Sequence, residues 1–554
     1  MRTLTPWPTK LGRIVSLTFA LALSSCGGGG GGGSSAPPPP SGGGDSSPTY
    51  LVSTADATRF LRQASFGPTP DSVERVRTMG FDAWIDEQMT LPATGHLSYM
   101  DSLPEPADLG EARRNRLDAW FQASLTGQDQ LRQRVAYALS QIMVVSDQSV
   151  LINFANGLGY YYDRLAGNAF GQYRTLLEDV TLSPAMGLYL SMLGNEKPDV
   201  ARNIRPDENY AREVMQLFSI GLVELNTDGS AKRDANGNPI PTYDQAVIEG
   251  FAHVFTGWTF ANSPSWNRPS YLARSPMQAF PAYHDSGEKR LLNNVTLPAG
   301  QTPEQDLSMA LDALAEHPNV APFISLRLIQ QLVTANPSPA YLERISTVFN
   351  DDGTGQRGNL AAVVKAILLD DEARIASDSE TAGKIVEPLL RFTSLLRAFD
   401  AKSESGRYTF RGLNTFLGQE PLSAPSVFNF YSPFYSPPGE LGAQGLRSPE
   451  LQMANEASVA QVNSYLAYVA FLRNHTANDV TENDTLIDLR DLIDQADNPA
   501  ALLDAVHLRL IGNPAGNELA QESLPMIEQW NQPAARVAEA VHAVITSIDY
   551  ATLR

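Results

Sequence analysis

Residues 207–221 read Asp-Glu-Asn-Tyr-Ala-Arg-Glu-Val-Met-Gln-Leu-Phe-Ser-Ile-Gly, and this stretch indicates the fold class. Apolar side chains recur every three or four positions, at Tyr210, Val214 and Leu217. That spacing is typical of a helix that buries one face against a core. Gly221 follows directly and is a suitable residue for the end of a helix. The stretch therefore predicts an amphipathic helix that ends at Gly221.

The same periodicity recurs through most of the chain, so the predicted fold class is mostly α, a multi-helix globular domain. Thr69 before Pro70, and Asn498 before Pro499, each place a capping side chain ahead of a proline at the first helical position. The predicted helices cover residues 55–64, 71–79, 81–89, 113–125, 130–145, 208–220, 243–255, 303–315, 320–333, 341–349, 359–369, 384–399, 450–471, 499–510 and 534–548.

Two segments interrupt the helical pattern. Residues 232–242 predict a short β-hairpin, because Asn236-Gly237 favours a tight turn between extended runs. Oxygen-bearing side chains also alternate there as in half of a calcium loop, but the glutamate expected further along is missing, so the hairpin is favoured. Residues 421–449 are rich in proline and aromatic side chains. They predict a long strap across the helical core, with an exposed aromatic binding strip as the alternative.

The first 50 residues have the composition of an export signal and a tether. The apolar stretch 14–23 follows a basic start and is too short to span a bilayer. Residues 23–26, Leu-Ser-Ser-Cys, resemble the lipobox of bacterial lipoproteins, and Cys26 is the only cysteine in the chain. We therefore expect residues 1–25 to be a lipoprotein signal peptide and Cys26 to carry the lipid that attaches the chain to a membrane. Residues 26–50, rich in Gly, Ser and Pro, would form a tether.

The composition also limits location and partners. By resemblance to lipoproteins of two-membrane bacteria, Gly27 after the cysteine favours the outer membrane of the cell envelope. Residues 51–554 are numerous enough for subdomains, which we place at about 51–200, 201–420 and 421–554. The net charge of −20 argues against nucleic acid as a partner and leaves room for a divalent metal.

Polar side chains on the helix at 208–220 are the first candidates for a site. Asn209, Glu213 and Gln216 line one flank of the apolar stripe, where they could reach a ligand or a neighbouring helix. Arg212 lies opposite the core and is four residues after Glu208, which favours a surface ion pair. A polar clamp between helices is the alternative to a ligand site.

Histidines supply the remaining candidates. Glu249 and His253, four residues apart, could bind metal or act as acid and base, but both lie away from the apolar face, which favours a solvated pair. In the loop at 284–289, His284, Asp285 and Lys289 offer a base, a carboxylate and a cation. Nucleophile elbows, zinc-protease motifs, phosphate loops and dinucleotide fingerprints are absent from the sequence.

Six segments in order resemble the bacterial domain of unknown function 1800 family. They are Ala-Thr-Arg-Phe-Leu-x-Gln-Ala-Ser-Phe-Gly-Pro-Thr at 57–69, Glu-Asn-Tyr-Ala-Arg-Glu at 208–213 within the helix at 207–221, Phe-Thr-Gly-Trp at 255–258, His-Asp-x-Gly-x-Lys at 284–289, His-Pro-Asn-Val-Ala-Pro-Phe at 317–323 and Pro-Ser-Val-Phe-Asn-Phe-Tyr at 425–431.

The resemblance implies an exported, largely helical protein without an assigned activity. It also implies a partner, because members are often encoded beside an exported protein similar to the sulfatase and alkaline phosphatase fold. His253 stands where an arginine is usual, and Phe218 where some members have a histidine. The second departure argues against a metal site at position 218.

Two functions follow from these observations. In the first, the chain is a lipid-anchored scaffold or binding partner for a secreted protein. In the second, it is a hydrolase or lyase acting on an envelope or extracellular polymer, with Glu213, His284 and Asp285 as an acid–base or metal cluster. Asn209 and Gln216 would then orient the substrate, and Arg212 or Lys289 would bind its anionic groups. Proximity of Glu213 to His284 would favour the enzyme, and separation would favour the binding protein.

Overall fold

Capping side chains and prolines begin many of the helices, and apolar stripes pack them together. The computed structural model describes residues 51–375 and 382–554. This part of the chain is mostly helical, which confirms the predicted fold class. The predicted signal peptide, the lipid attachment at Cys26 and the tether at 26–50 lie outside the described residues. Residues Leu51–Arg554 form one compact unit.

The first half of the described chain carries eleven of its α-helices. In chain order they are α1 Thr54–Ala64, α2 Pro70–Met79, α3 Phe81–Thr90, α4 His96–Ser102, α5 Leu109–Thr126, α6 Gln130–Ile142, α7 Ala155–Gly167, α8 Tyr173–Thr181, α9 Pro184–Tyr189, α10 Asn209–Gln216 and α11 Gln245–Val254.

Short strands and 3₁₀ turns then separate the remaining helices. The helices are α12 Pro303–Ala315, α13 Val320–Leu332, α14 Pro339–Asn350, α15 Leu360–Leu369, α16 Asp371–Arg374, α17 Pro388–Ala398, α18 Leu413–Leu417, α19 Glu440–Ala443, α20 Glu456–Leu472, α21 Pro499–Ile511, α22 Asn517–Glu528, α23 Pro533–Ile545 and α24 Ile548–Ala551. The 3₁₀ turns are Pro281–Tyr283, Leu292–Asn294, Pro449–Gln452 and Arg490–Gln495.

Strands in the described residues pair only as two-stranded antiparallel sheets. Strand β1 (Trp258–Thr259) pairs with β2 (Gln278–Ala279), β3 (Lys289–Arg290) with β4 (Thr296–Leu297), and β5 (Lys384–Ile385) with β6 (Thr552–Leu553). In register, Trp258 faces Ala279, Lys289 faces Leu297 and Lys384 faces Leu553. The third sheet joins the C-terminal end of the chain to the segment before α17.

Both predicted proline-led helix starts are present. The Thr69 hydroxyl accepts a hydrogen bond from the Ser72 amide, and the Ser72 hydroxyl accepts one from the Thr69 amide, which makes a capping box. Asn498 caps α21 through the Ala501 amide at 3.2 Å. At α10 the regular helix ends earlier than predicted, at Gln216, and wider turns follow as far as Gly221, which has a φ of 72°.

The hairpin and the strap are also present. In the hairpin the Asp234 amide donates to the Asn238 carbonyl at 2.9 Å, around Gly237 with a φ of 83°. Strap residues 421–449 lie on the helical core, where the Ser146 hydroxyl donates to the Ala424 carbonyl at 2.5 Å. The Tyr431 hydroxyl of the strap donates to buried Glu387 at 2.8 Å. Within residues 51–375 and 382–554, none of the helices combines the length and apolar character that crossing a membrane requires.

Candidate functional site

The loop before β3 places His284 in the interior, with 3% of its surface exposed. Its Nε2 lies 2.9 Å from the Asp306 carboxylate, and its Nδ1 lies 3.0 Å from the Thr256 carbonyl oxygen. Both ring nitrogens therefore have partners inside the protein, which fixes the ring orientation and leaves neither nitrogen free for a substrate.

Lys289 belongs to the same buried cluster. Its Nζ lies 2.7 Å from Asp306 Oδ2 and donates to the backbone carbonyls of Asp285 at 2.5 Å and Gly287 at 2.9 Å. All three donors of the ammonium are thus used, with 2% of the residue exposed. His284, Asp306 and Lys289 form an internal ion cluster that holds the loop against α12.

Asp285 turns outward and contacts a different histidine. Its Oδ2 pairs with Nδ1 of half-buried His253 on α11, and its Oδ1 accepts the Gly287 amide at 2.7 Å. The hydrogen bond from His253 lowers the pKa of Asp285 to about 2, against the opposing effect of partial burial. Nε2 of His253 makes no hydrogen bond with the described residues. A carboxylate that orients a histidine whose second nitrogen is open is an arrangement suited to general-base chemistry.

Thr256 connects the two pairs. Its hydroxyl donates to the His253 carbonyl at 2.7 Å and accepts the Asp285 amide at 2.9 Å. Next to it, Gly257 has a φ of 82°, and a Cβ there would lie 2.9 Å from the His284 amide nitrogen. The loop at 284–289 therefore packs directly on the segment at 255–258.

Thr256 and Asp306 were not among the site residues predicted from the sequence, although Thr256 lies in the segment at 255–258 that resembles the family. Asp306 had a usable signal, because it falls on the apolar stripe of α12 with Leu307, Ala310 and Leu314. A carboxylate on a buried stripe requires a cationic or hydrogen-bonding partner. For Thr256 the sequence carries no comparable signal apart from its place between Phe255 and Gly257, because a threonine in such a turn ordinarily forms a hydrogen bond with the nearby backbone.

Glu213 lies on α10 and is half-buried. Burial raises the pKa of its carboxyl group, and the charge of Arg212 opposes that rise only in part. Its Oε2 is buried without a hydrogen-bond partner among the described residues. Burial, together with the nearby Glu213 charge, raises the pKa values of Tyr189 and Tyr243 to about 12. No hydrogen bond or ion pair of the described residues joins Glu213 to His284 or Asp285.

The other candidates on α10 lie at the surface or at its edge. Arg212 forms the predicted surface ion pair with Glu208, and it also donates to the Gln245 amide oxygen of α11 at 3.0 Å. Asn209 is exposed, and Gln216 is half-buried at the end of the helix. The structure thus brings together His284 with Lys289 and Asp285 with His253, and it leaves Asn209, Arg212, Glu213 and Gln216 as a separate set.

Among residues 51–375 and 382–554, no three or more His, Cys, Asp or Glu side chains converge in a way that could hold a metal ion.

A cleft of about 1020 Å³ lies elsewhere, between α5, α17, α20 and the loops at 407–411 and 481–485. It is lined by four arginines and two carboxylates and by no histidine. Arg407 is paired with Asp118 at 2.7 Å, whereas Arg114 and Arg411 make no hydrogen bond or ion pair with the described residues.

The floor of this cleft is aromatic. Phe416 and Tyr465 stack with ring centroids 5.0 Å apart and planes 3° apart, and Tyr468 continues the stack at 6.0 Å. Phe416 is 41% exposed and Tyr468 is 36% exposed. Exposed rings beside free guanidinium groups form a surface suited to an anionic ligand with planar or apolar parts.

The sequence matches the profile of the family described as "Protein of unknown function (DUF1800)" over residues 59–552. The chain belongs to this family. Neither the curated proteins nor the solved structures contain a match to it.

In this DUF1800 chain, four of the six segments that resemble the family meet in two pairs. Besides 255–258 with 284–289, the helix at 207–221 meets the segment at 317–323. The Asn319 side chain donates to the carbonyls of Ile220 at 2.9 Å and Val223 at 2.7 Å. A Cβ on Gly221 would lie 2.9 Å from the Phe323 ring. These contacts give the segments structural roles within the DUF1800 fold.

Proposed function

We propose that the chain is a lipid-anchored binding protein of the bacterial outer membrane, which holds an exported partner protein in its large arginine-lined cleft. The observation that supports this proposal is a pair of exposed arginines, Arg114 and Arg411, which make no hydrogen bond or ion pair with the described residues. They line the same cleft as the stacked aromatic rings, in a chain whose net charge is −20. A local positive surface on an acidic protein favours the binding of a negatively charged partner segment.

The internal ion cluster supports the same proposal. His284 and Lys289 have all their polar atoms bound inside the protein, and Glu213 is not connected to them. A binding protein needs no convergent acid and base, so this separation favours the binding function over the enzyme.

The partner we favour is the exported protein of sulfatase- or phosphatase-like fold that the family resemblance implies. The experiment is calorimetric titration of the full chain, in mild detergent, with that purified partner. We expect binding that weakens at least tenfold in the double variant Arg114→Glu/Arg411→Glu and weakens further with added salt. Arg233→Glu is the matched control, because Arg233 is an exposed arginine on the hairpin and does not line the cleft.

Equal binding by the double variant and the control would place the interface elsewhere. Absence of binding by the wild-type chain, with an anionic polysaccharide bound instead, would reject a protein partner.

A hydrolase acting on an envelope polymer is the second candidate, and the His253–Asp285 pair favours it. Asp285 holds Nδ1, so Nε2 of His253 is the nitrogen that could take a proton from a water molecule. Chromogenic ester, amide and glycoside substrates test this candidate. Turnover that is lost in His253→Asn and Asp285→Asn, with both variants still folded at the assay temperature, would support the enzyme. No turnover of any of the three classes would argue against it.

A further inference from the structure

A second, smaller cavity of about 200 Å³ lies beneath the strap, and we name it the strap cavity. Its walls come from α6, the end of α10, α13 and strap residues 427–434. Phe323, Phe428 and Phe434 supply apolar surface, and the other lining residues include the side-chain amides of Gln141 and Gln216. Pockets for drug-sized ligands measure roughly 300–1,000 Å³, so an occupant of this cavity must be small.

A buried arginine without a counter-ion lies in the wall. Arg327 is 4% exposed, and its guanidinium lies 4.1 Å from the centre of the Phe434 ring and 5.0 Å from that of Phe323. It donates one hydrogen bond, to the Gln330 side chain at 2.6 Å. No carboxylate of the described residues lies within 4.0 Å of it. Burying an unpaired charge is costly, because the guanidinium loses its hydration without gaining an opposite charge.

The nearest charge adds to this cost. Arg447 contacts the same Phe434 ring, with its guanidinium 5.6 Å from the ring centre, and it too has no carboxylate partner in the described residues. Burial and the positive charge of Arg447 lower the pKa of Arg327 to about 9, which still leaves Arg327 charged at neutral pH. The two positive charges beside the Phe434 ring therefore favour the binding of an anion there.

Gln331 supplies an unused acceptor in the same wall. It is 8% exposed, and its Oε1 is buried without a hydrogen-bond partner in the described residues. Phe323, Arg327 and Gln331 are spaced four residues apart on α13, so they share one helical face. An apolar surface, a donor and an acceptor thus follow one another along the cavity wall.

The strap is fastened over these groups. The Asn429 side chain donates to Gln141 on α6, and Asn429 itself has a φ of 69°, a left-handed conformation that asparagine tolerates better than most residues. Tyr431 is buried, whereas Phe428 and Phe434 are each 50% exposed and stand at the cavity edge. The strap therefore covers the cavity in a fixed position, and the exposed rings of Phe428 and Phe434 border its opening.

We propose that the strap cavity binds a small organic acid that carries a carboxylate, an adjacent hydroxyl or ammonium group and an apolar group. The Arg327 guanidinium donates to the carboxylate, the Gln331 amide oxygen accepts from the hydroxyl or ammonium, and the phenyl rings contact the apolar part. This site is independent of the large cleft and of the His253–Asp285 pair.

The test is calorimetric titration of the full chain, in mild detergent, with four probes. Mandelate carries all three groups, mandelamide lacks the charge, benzoate lacks the hydroxyl, and sulfate is an inorganic anion. We expect mandelate to bind at least tenfold more tightly than each of the other three. Equal binding of mandelate and mandelamide, or of mandelate and sulfate, would overturn the proposal, as would no binding of mandelate or benzoate.

Two variants test the assignment of residues. Arg327→Gln should weaken mandelate binding at least tenfold, and Arg233→Gln on the hairpin should not change it. Because Arg327→Gln removes a buried side chain, Gln216→Glu serves as a second variant. Gln216 lines the same cavity as Arg327, is half-buried, and makes no side-chain hydrogen bond with the described residues, so we expect the variant to fold and its carboxylate to compete with mandelate for Arg327. Unchanged mandelate binding in a folded Gln216→Glu chain would contradict the placement of the site.

Discussion

At the scale of single residues, the buried ion cluster explains why a lysine stands in the loop at 284–289. Replacing Lys289 with methionine keeps the length of the side chain and leaves the Asp306 carboxylate without its cation. Breaking one side of a buried pair costs about 3–5 kcal/mol, so we expect a loss of that size in the free energy of unfolding, measured by urea denaturation. Lys402→Met is the control, because Lys402 and Asp400 form a pair in which both side chains are about 70% exposed. Equal stability of the two variants would contradict the structural role of Lys289.

The neighbouring carboxylate gives a pH-dependent prediction. Because the folded pKa of Asp285 lies near 2, below its ordinary value of 3.8, its contribution to stability is present above pH 3.8 and is lost as the pH falls through 2. Asp285→Asn should therefore be less stable than the wild type at neutral pH, by about 2 kcal/mol at most. The difference should shrink when urea unfolding is repeated at successively lower pH. Asp497→Asn, at a side chain that is 99% exposed, should show no such trend.

The contacts of a residue could be predicted from the sequence where its partners lie close to it in the chain. Thr69 and Asn498 were identified correctly as caps, because a capping bond joins residues that are two or three positions apart. His284 was expected to share a cluster with Asp285 and Glu213, yet its partners are Thr256 and Asp306, which lie 28 and 22 positions away in the chain. Contacts over such separations depend on how α11 and α12 pack, and no local pattern carries that information.

At the scale of elements, the helices with strong caps or clear apolar stripes were predicted to within a few residues. The helix α12 was predicted with both of its ends. The helix α7 was missed, because Gly157 and Gly159 weaken its helical propensity and its tyrosines fill several faces. The start of α17 was placed four residues too early, since residues 384–385 pair with β6, which lies far along the chain.

The strap yields a prediction at this scale. Its Tyr431 is buried and donates its hydroxyl to Glu387, a carboxylate that is fully buried and whose other oxygen has no partner in the described residues. Tyr431→Phe removes that donor and should lower the free energy of unfolding by about 1–3 kcal/mol. Tyr435→Phe alters another strap tyrosine, whose hydroxyl makes no hydrogen bond with the described residues, and should have little effect. Comparable losses in both variants would mean that the strap is held by apolar contact rather than by Tyr431.

At the scale of the whole molecule, the C-terminal end is tied to distant parts of the chain. Strand β6 pairs with β5, and the Val386 amide donates to the Ala551 carbonyl at 2.8 Å. Arg62 on α1 donates to the carbonyls of Tyr550 at 2.9 Å and Thr552 at 2.8 Å. Through Lys384 on β5, which lies 2.9 Å from buried Glu450, the same connection reaches the segment that follows the strap.

Removal of residues 551–554 should therefore destabilise much more than four terminal residues usually would. The deletion removes buried Leu553, and burial of a leucine is worth about 1.5–3 kcal/mol. It also removes the Thr552 carbonyl that accepts from the half-buried Arg62 guanidinium. We expect the free energy of unfolding, measured by urea denaturation, to fall by about 3 kcal/mol or more. Deletion of residues 34–44, in the glycine- and proline-rich segment, is the control and should leave unfolding unchanged. A C-terminal deletion that unfolds at the wild-type urea concentration would show that α1, β5 and the strap keep their positions without the contacts of residues 551–554.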